Sequence, residues 1–223
     1  MKVFVVEDLR AANEEMAREN RRLLERYGLV VVNLIGGPGS GKTTLLEKSI
    51  AMLGDRLRFG IIEGDIYTTR DAARLEKLGV EVVQLNTAGA CHLDAAMVGK
   101  ALPELPLASV DLVVVENVGN LVCPAEFDLG EDLKVAVLSV TEGSDKPAKY
   151  PLVFHEAKAC VLTKLDLLPY TDFDLEAVRG ELAALNPALE VFPVSARTGE
   201  GMGAWCQWLL RQVPRKRQPA SGC

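Results

Sequence analysis

Gly36-Gly37-Pro38-Gly39-Ser40-Gly41-Lys42-Thr43 follows the apolar run Leu29–Ile35 and precedes a helical stretch, Thr44–Leu53. The octet matches G-x-x-x-x-G-K-[ST] without a gap, in the strand-then-helix setting the motif requires. Its glycines let backbone N–H groups turn inward around phosphate oxygens, and the helix N-terminus adds its dipole. Gly36, Gly37, Pro38, Gly39, Ser40, Gly41, Lys42, Thr43 and Thr44 are therefore read as nucleotide-binding. Lys42 is expected between the β- and γ-phosphates and the Thr43 hydroxyl on Mg2+.

Outward from this loop the chain alternates apolar strands with amphipathic helices. Strands are expected over Leu29–Ile35, Arg58–Glu63, Val80–Leu85, Asp111–Glu116, Leu133–Val140, Ala159–Thr163 and Leu189–Val194. Several are nearly continuous Val, Ile and Leu, as strands covered on both faces are. The alternation specifies a doubly wound, mostly parallel α/β sheet of about seven strands, with ligands beyond the carboxyl ends of the strands. Before it, Leu9, Ala12, Met16, Leu23, Leu24 and Tyr27 recur at helical spacing, with Asp8 able to cap the start and Gly28 the end. This N-terminal helix is expected on the flank of the domain or against a partner. The implied division is a strand and helix appendage (1–28), a nucleotide-binding domain (29–213) and a basic tail (214–223).

The 223 residues carry a net charge of −6, which argues against a broad nucleic-acid face, and the cluster Arg211, Arg215, Lys216 and Arg217 reads as a solvated tail. No stretch reaches the roughly 18 apolar residues of a membrane span. The Val3–Val6 run is too short for a signal-peptide core, so a cytoplasmic protein is expected. Five cysteines without framework spacing then read as thiols or metal ligands.

Glu116 ends a buried strand and precedes Asn117-Val118-Gly119. It is placed to hold magnesium through water, and the Gly119 N–H to meet a γ-phosphate. Asp65, at the same sheet edge, is expected to order the attacking water or a magnesium-bound water. Lys42, Asp65 and Glu116 form the expected catalytic set, and Thr43, Asp65 and Glu116 the magnesium set. Thr163-Lys164-Leu165-Asp166 resembles the [NT]-K-x-D guanine motif. A carboxylate at Asp166 accepts from both N1–H and the 2-amino group, an edge adenine lacks. Ser195-Ala196-Arg197 after the next strand resembles the element that supports the guanine carbonyl, so GTP is favoured over ATP.

Cys91 and His92 are adjacent in a loop, and Cys123-Pro124 follows Gly119 by four residues. Thiolate and imidazole suit Zn2+ or Ni2+; read alone, the three residues are either metal ligands or incidental side chains. Cys160 and Cys206 read as small hydrophobes, His155 as structural and Cys223 as uninformative.

The run Glu116-Asn117-Val118-Gly119-Asn120-Leu121-Val122-Cys123-Pro124 belongs with Cys91-His92, Thr141-Glu142-Gly143-Ser144-Asp145-Lys146-Pro147 and Lys164-Leu165-Asp166-Leu167-Leu168-Pro169-Tyr170. Together they resemble the HypB family, GTPases that help insert nickel into nickel–iron hydrogenase precursors. The resemblance covers nearly the whole chain, from Met1 to about Val213. It implies a GTP-dependent homodimer of the SIMIBI class of P-loop proteins, with a nickel or zinc site at the dimer interface built from Cys91, His92 and Cys123. The partners it implies are a HypA-like nickel chaperone and the hydrogenase large-subunit precursor. The N-terminal stretch here carries neither the cysteine motif nor the histidine-rich store of some members, which favours transfer over storage. Thr163 stands where Asn is commoner, and a modest loss of loop support is expected. Gly37 stands where the ATP-driven branch carries a lysine. The rival readings are a sister metallochaperone for urease or a cobalamin enzyme, a P-loop small-molecule kinase, and a scaffold holding structural zinc.

Overall fold

The structure, a computed structural model, describes residues 6–213. Sixteen helices and strands follow in order, the first five being α1 (Val6–Tyr27), β1 (Val30–Gly36), α2 (Lys42–Leu53), β2 (Phe59–Asp65) and α3 (Arg70–Glu76). Next come β3 (Glu81–Asn86), α4 (Ala95–Ala101), β4 (Leu112–Glu116), α5 (Cys123–Glu126), β5 (Leu133–Ser139) and α6 (Lys146–Lys149). The chain closes with α7 (Pro151–Glu156), β6 (Ala159–Thr163), α8 (Leu175–Leu185), β7 (Glu190–Pro193) and α9 (Met202–Gln212). Each of the seven expected strands is present, with ends within two residues of those expected and Ala159–Thr163 unchanged.

The strands form one sheet in the order β3-β2-β4-β1-β5-β6-β7, and every pairing is parallel. β1 is central, between β4 and β5, which brings the loop after it to the middle of the carboxyl edge. Side chains alternate faces along a strand. Val32 and Leu34 of β1 meet Leu45, Ile50, Trp205 and Trp208 from α2 and α9. Val31 joins Leu24, Val98 and Leu102 on the opposite face, and Ile35 joins Phe154, Val178 and Leu182 from α7 and α8. Burying each such side chain stabilises the fold by roughly 1.5–3 kcal/mol. The sheet is therefore doubly wound, as the apolar runs implied. Trp205 Nε1 donates to Ser49 Oγ at 2.9 Å, satisfying the indole where α9 crosses α2. Cys160 and Cys206 are buried in these cores, and burial raises both thiol pKa values, as expected of small hydrophobes.

α1 lies along α4, but its inward face is not the expected apolar stripe. Ala12 and Tyr27 are exposed, while Ala17, Asn20 and Leu24 are buried. The face is drawn in by carboxamides. Asn20 Nδ2 donates to the carbonyls of Ala95 at 2.8 Å and Leu129 at 2.9 Å, and Asn13 Oδ1 accepts from Ala95 N at 2.9 Å. The helix begins at Val6, so Asp8 lies within its first turn rather than at its cap. Gly28, at φ +62°, ends it with its N–H on the Glu25 carbonyl. Of the Val3–Val6 run, residues 3–5 lie outside the described residues, as do the tail 214–223 and Cys223 with it. His155, in α7, is exposed beside Glu156. Among the described residues no helix is long and apolar enough to cross a membrane.

Candidate functional site

The loop from Gly36 to Thr43 wraps the start of α2 at the end of the central strand. An added Cβ on Gly36 would stand 2.5 Å from the Val137 carbonyl and 2.6 Å from Ser40 Oγ, so no side chain fits there. Lys42 is buried, and its Nζ donates to the carbonyls of Gly36 at 3.0 Å and Gly37 at 3.4 Å. Burial lowers its pKa, opposed by Glu116, Glu142, Asp71 and Glu63. Thr43 Oγ1 donates to Glu116 Oε1 at 2.7 Å, which joins the motif to the end of β4. Thr44 is exposed and accepts from Arg74 at 3.1 Å.

Three carboxylates that strand periodicity does not single out as a group meet here. Oxygens of Glu63, Asp65 and Asp71 lie within 4.8 Å of one another. Burial raises the Glu63 pKa to about 8, with Glu116, Asp65 and Asp71 adding to it. Burial likewise raises Glu116 to about 7, against the Thr43 hydrogen bond. Glu63 Oε2 and Glu116 Oε2 are buried and make no hydrogen bond. Orphaned buried carboxylate oxygens are costly unless a cation or a donor meets them, so hard oxygen donors beside a phosphate loop fit a magnesium ion. Asp65 Oδ1 accepts from the backbone N–H of Tyr67 at 2.7 Å and Thr68 at 2.6 Å, which fixes its carboxylate. Lys42, Thr43, Thr44, Glu63, Asp65, Asp71 and Glu116 line one cleft of about 580 Å³, together with Arg74, Gly119 and Lys164. Arg74 is tied to Glu47 and Asp71.

The second loop closes on the first. Thr163 Oγ1 donates to the Ser40 carbonyl at 2.5 Å, and Lys164 Nζ to the Gly39 carbonyl at 2.7 Å. The hydroxyl at 163 thus bonds to the phosphate loop directly. Ser195, fully buried, donates through Oγ to Asp166 Oδ1 at 2.6 Å and accepts from Thr198 N at 3.1 Å. This aims the carboxylate. Ala196 packs against the core beside it.

Beyond Gly119 the third group assembles. Ligand atoms of Cys91, His92 and Cys123 lie within 4.8 Å of one another, with Cys91 Sγ donating to Cys123 Sγ at 3.1 Å. His92 stacks on Phe127, with ring centroids 4.1 Å apart. Burial lowers the His92 pKa, opposed by Asp94 and Glu126, which favours the neutral imidazole that binds metals. The Cys91 hydrogen bond and burial raise the Cys123 thiol, and Asn120 opposes them. Two soft sulfurs and one imidazole from one chain leave room for a fourth ligand. All three ligand residues are visible in the sequence, whereas Asn117 and Asn120 appear there only as members of a signature run and not as supports. Asn117 Oδ1 accepts from Leu93 N at 3.1 Å, and its Nδ2 donates to Asn33 Oδ1 at 3.2 Å. Asn33 in turn donates to the buried Glu131 at 3.3 Å. The signal available was Asn33, a polar residue inside the apolar run Leu29–Ile35.

A phosphate loop at the centre of a parallel sheet, with a hydroxyl–carboxylate pair at its mouth, defines a P-loop nucleotide-binding protein. The family profile described as CobW/HypB/UreG, nucleotide-binding domain, matches residues 30–193. The hydrogenase maturation factor HypB of Azotobacter vinelandii is 53% identical over 208 residues, covering 93% of this chain and 69% of that protein. Two crystal structures align at a TM-score of 0.86. HypB from Archaeoglobus fulgidus is 35% identical, covering 92% of this chain and 100% of that one. HypB from Helicobacter pylori, in complex with nickel, is 36% identical over 93% of this chain and 100% of that one. The chain belongs to the HypB family of hydrogenase maturation factors.

Proposed function

We propose that the protein is a cytoplasmic, GTP-hydrolysing metallochaperone that assists nickel insertion into nickel–iron hydrogenase precursors. In this reading residues 29–213 are the GTPase domain, 1–28 its appendage, and Cys91, His92 and Cys123 the cargo site, which nickel occupies in transfer and zinc in rest. A second copy of the chain completes that site at a homodimer interface. A HypA-like nickel chaperone and the hydrogenase large-subunit precursor are the partners. The observation that carries the reading is the thiol–thiol contact of 3.1 Å beside His92, on a segment that starts against the phosphate loop. The nickel complex of the Helicobacter pylori relative supports nickel as the cargo.

The chain's own groups suit each part of the hydrolysis. The loop N–H groups and Lys42 hold the phosphates, and Asp166, aimed by Ser195, takes the guanine edge. Thr43, Asp65 and Glu116 would hold magnesium, which would neutralise negative charge on the transferring phosphate. Asp65, fixed by two backbone N–H groups, orients a water for attack on the γ-phosphorus. The P–O bond to the β-phosphate breaks, leaving GDP and phosphate. Gly119 loses its γ-phosphate contact, and Cys123, four residues on, moves relative to Cys91 and His92.

The test is nickel affinity of the protein loaded with a non-hydrolysable GTP analogue and with GDP. An allosteric coupling of ordinary size separates the two by about 5–150-fold. Equal affinities would remove the coupling from the reading.

A further inference from the structure

Six residues, 117–122, join Glu116 of the nucleotide cleft to Cys123 of the thiol cluster. Near the middle of them the chain touches the phosphate loop twice. Asn120 forms an isolated antiparallel bridge with Gly36 through its backbone. Gly119, just before it, lies so close to Pro38 that an added Cβ would stand 3.0 Å from Pro38 Cα and 3.1 Å from Pro38 N.

The Asn120 side chain reaches the other site. Its Nδ2 donates to the Cys91 carbonyl at 3.3 Å, and its Oδ1 accepts from Val122 N at 2.9 Å. One residue therefore bonds to the phosphate loop through its backbone and to both cysteine-bearing segments through its carboxamide. Asn117 grips the same Cys91–Leu93 loop two residues further on, at Leu93 N, but from a buried network with Asn33 and Glu131. The loop is thus pinned at Leu93 and held at Cys91 by a group whose backbone rides on Gly36. A shift of residues 119 and 120 against the phosphate loop pulls on Cys91 while Leu93 stays fixed, and the sulfur-to-sulfur geometry changes.

We propose that Asn120 is the positioning residue through which the phosphate loop sets the geometry, and so the nickel affinity, of the Cys91–His92–Cys123 cluster. This rests on the metallochaperone reading above and deepens it. It identifies a physical link where the reading has only the short spacing between Gly119 and Cys123. Asn120 touches neither nucleotide nor metal through its side chain in this role; it sets where the ligands stand.

The experiment compares wild type, Asn120→Asp and Asn120→Ala, each as the full chain. Asn120→Asp keeps the shape and the acceptor for Val122 N but loses the donor to Cys91. Asn120→Ala loses both, without adding charge. For each, Ni2+ is titrated against protein loaded with GDP and with the non-hydrolysable analogue, following the thiolate-to-nickel charge-transfer band. The quantity read is the ratio of the two affinities, from which any effect of the Asp charge common to both states cancels. Affinity for fluorescent GDP reports on the phosphate loop. The expected result is a wild-type ratio of at least about fivefold, falling to within about twofold of unity in both variants, with GDP and Ni2+ still bound. A variant ratio equal to that of wild type overturns the proposal and leaves the metallochaperone reading standing. Loss of Ni2+ binding in both states, or of GDP binding, in both variants also overturns it, by making Asn120 a structural support of one site. A wild-type ratio of one removes the coupling itself, whatever the variants do.

Discussion

The phosphate loop and the thiol–imidazole cluster share the carboxyl edge of one sheet, yet they are built by opposite means. The loop is one contiguous octet whose backbone carbonyls are tied down by Lys42, Thr163 and Lys164, with Thr43, Glu63 and Glu116 buried around it. The cluster takes one pair of ligands from the loop before α4 and a third from the start of the four-residue α5, and Cys91 is exposed. Its supports are single side chains: Asn117, Asn120 and the ring of Phe127. Backbone-built sites resist small displacements, because moving them breaks many bonds at once. Sites hung from a few carboxamides and one ring contact give way at lower cost, as local opening does generally. The proposed function, which holds a nucleotide firmly and yields a metal ion on cue, needs this asymmetry.

The sharpest way to break the comparison is at Lys42. Lys42→Ala removes the ammonium proposed to meet the phosphates, and GTP hydrolysis should fall at least about 10²–10³-fold, as when a single preorganised charge donor is lost. Phosphate release under saturating GTP measures this. If the two sites are built separately, nickel affinity of the nucleotide-free variant stays within about twofold of wild type, since none of the cluster's supporting side chains bonds to Lys42. Loss of metal binding together with hydrolysis would mean that Lys42 holds the loop's fold, and the contrast between the sites would collapse.

A smaller effect, on the other site, comes from Phe127→Ala. His92 lies stacked on that ring, 4.1 Å between centroids. Removing it frees the imidazole to turn, and each side chain that must be ordered on binding costs about 0.5–1.5 kcal/mol. Nickel affinity should fall about two- to tenfold, with GDP affinity unchanged. A drop in GDP affinity of the same size would show that the cluster's supports also carry the nucleotide cleft.

The same asymmetry decided what the sequence could tell. β1, β2, β4, β5 and β6 were legible because strands buried on both faces read as apolar runs. β3 and β7, at the sheet edges, were found but are only half-buried. The octet carried its whole site within eight residues, and the Asp166 motif was readable for the same reason. Cys91, His92 and Cys123 were visible as residue types, but their meeting depends on two loops 32 residues apart (123 − 91). Asn20 counted as polar in the periodicity of α1 and proved to be on its buried face, because two backbone carbonyls wait there. Glu63 was hidden differently: it ended an apolar strand candidate, and its partner Asp71 arrives only when α3 folds back across the cleft.

Glu63 also gives the most specific prediction. Its side chain is buried beside Asp65 and Asp71 with one oxygen orphaned, and its pKa is raised from 4.5 to about 8 by burial and those neighbours. A carboxyl whose folded pKa lies above its unfolded one favours folding fully below the unfolded value. That contribution is lost as pH rises through the interval to the folded value. Glu63→Gln keeps the shape and cannot ionise. In nucleotide-free, metal-free protein the variant should therefore gain on wild type in Tm between about pH 5 and pH 8 and hold that gain above it. About 1 kcal/mol corresponds to about 2–4 °C for a chain of this size. Adding Mg2+ and GDP should shrink or reverse the gap, because the cation meets the carboxylates that repel one another without it. A Tm difference that does not change with pH would mean that Glu63 is already charge-compensated by the protein, and that the nucleotide cleft, like the cluster, is held by its side chains.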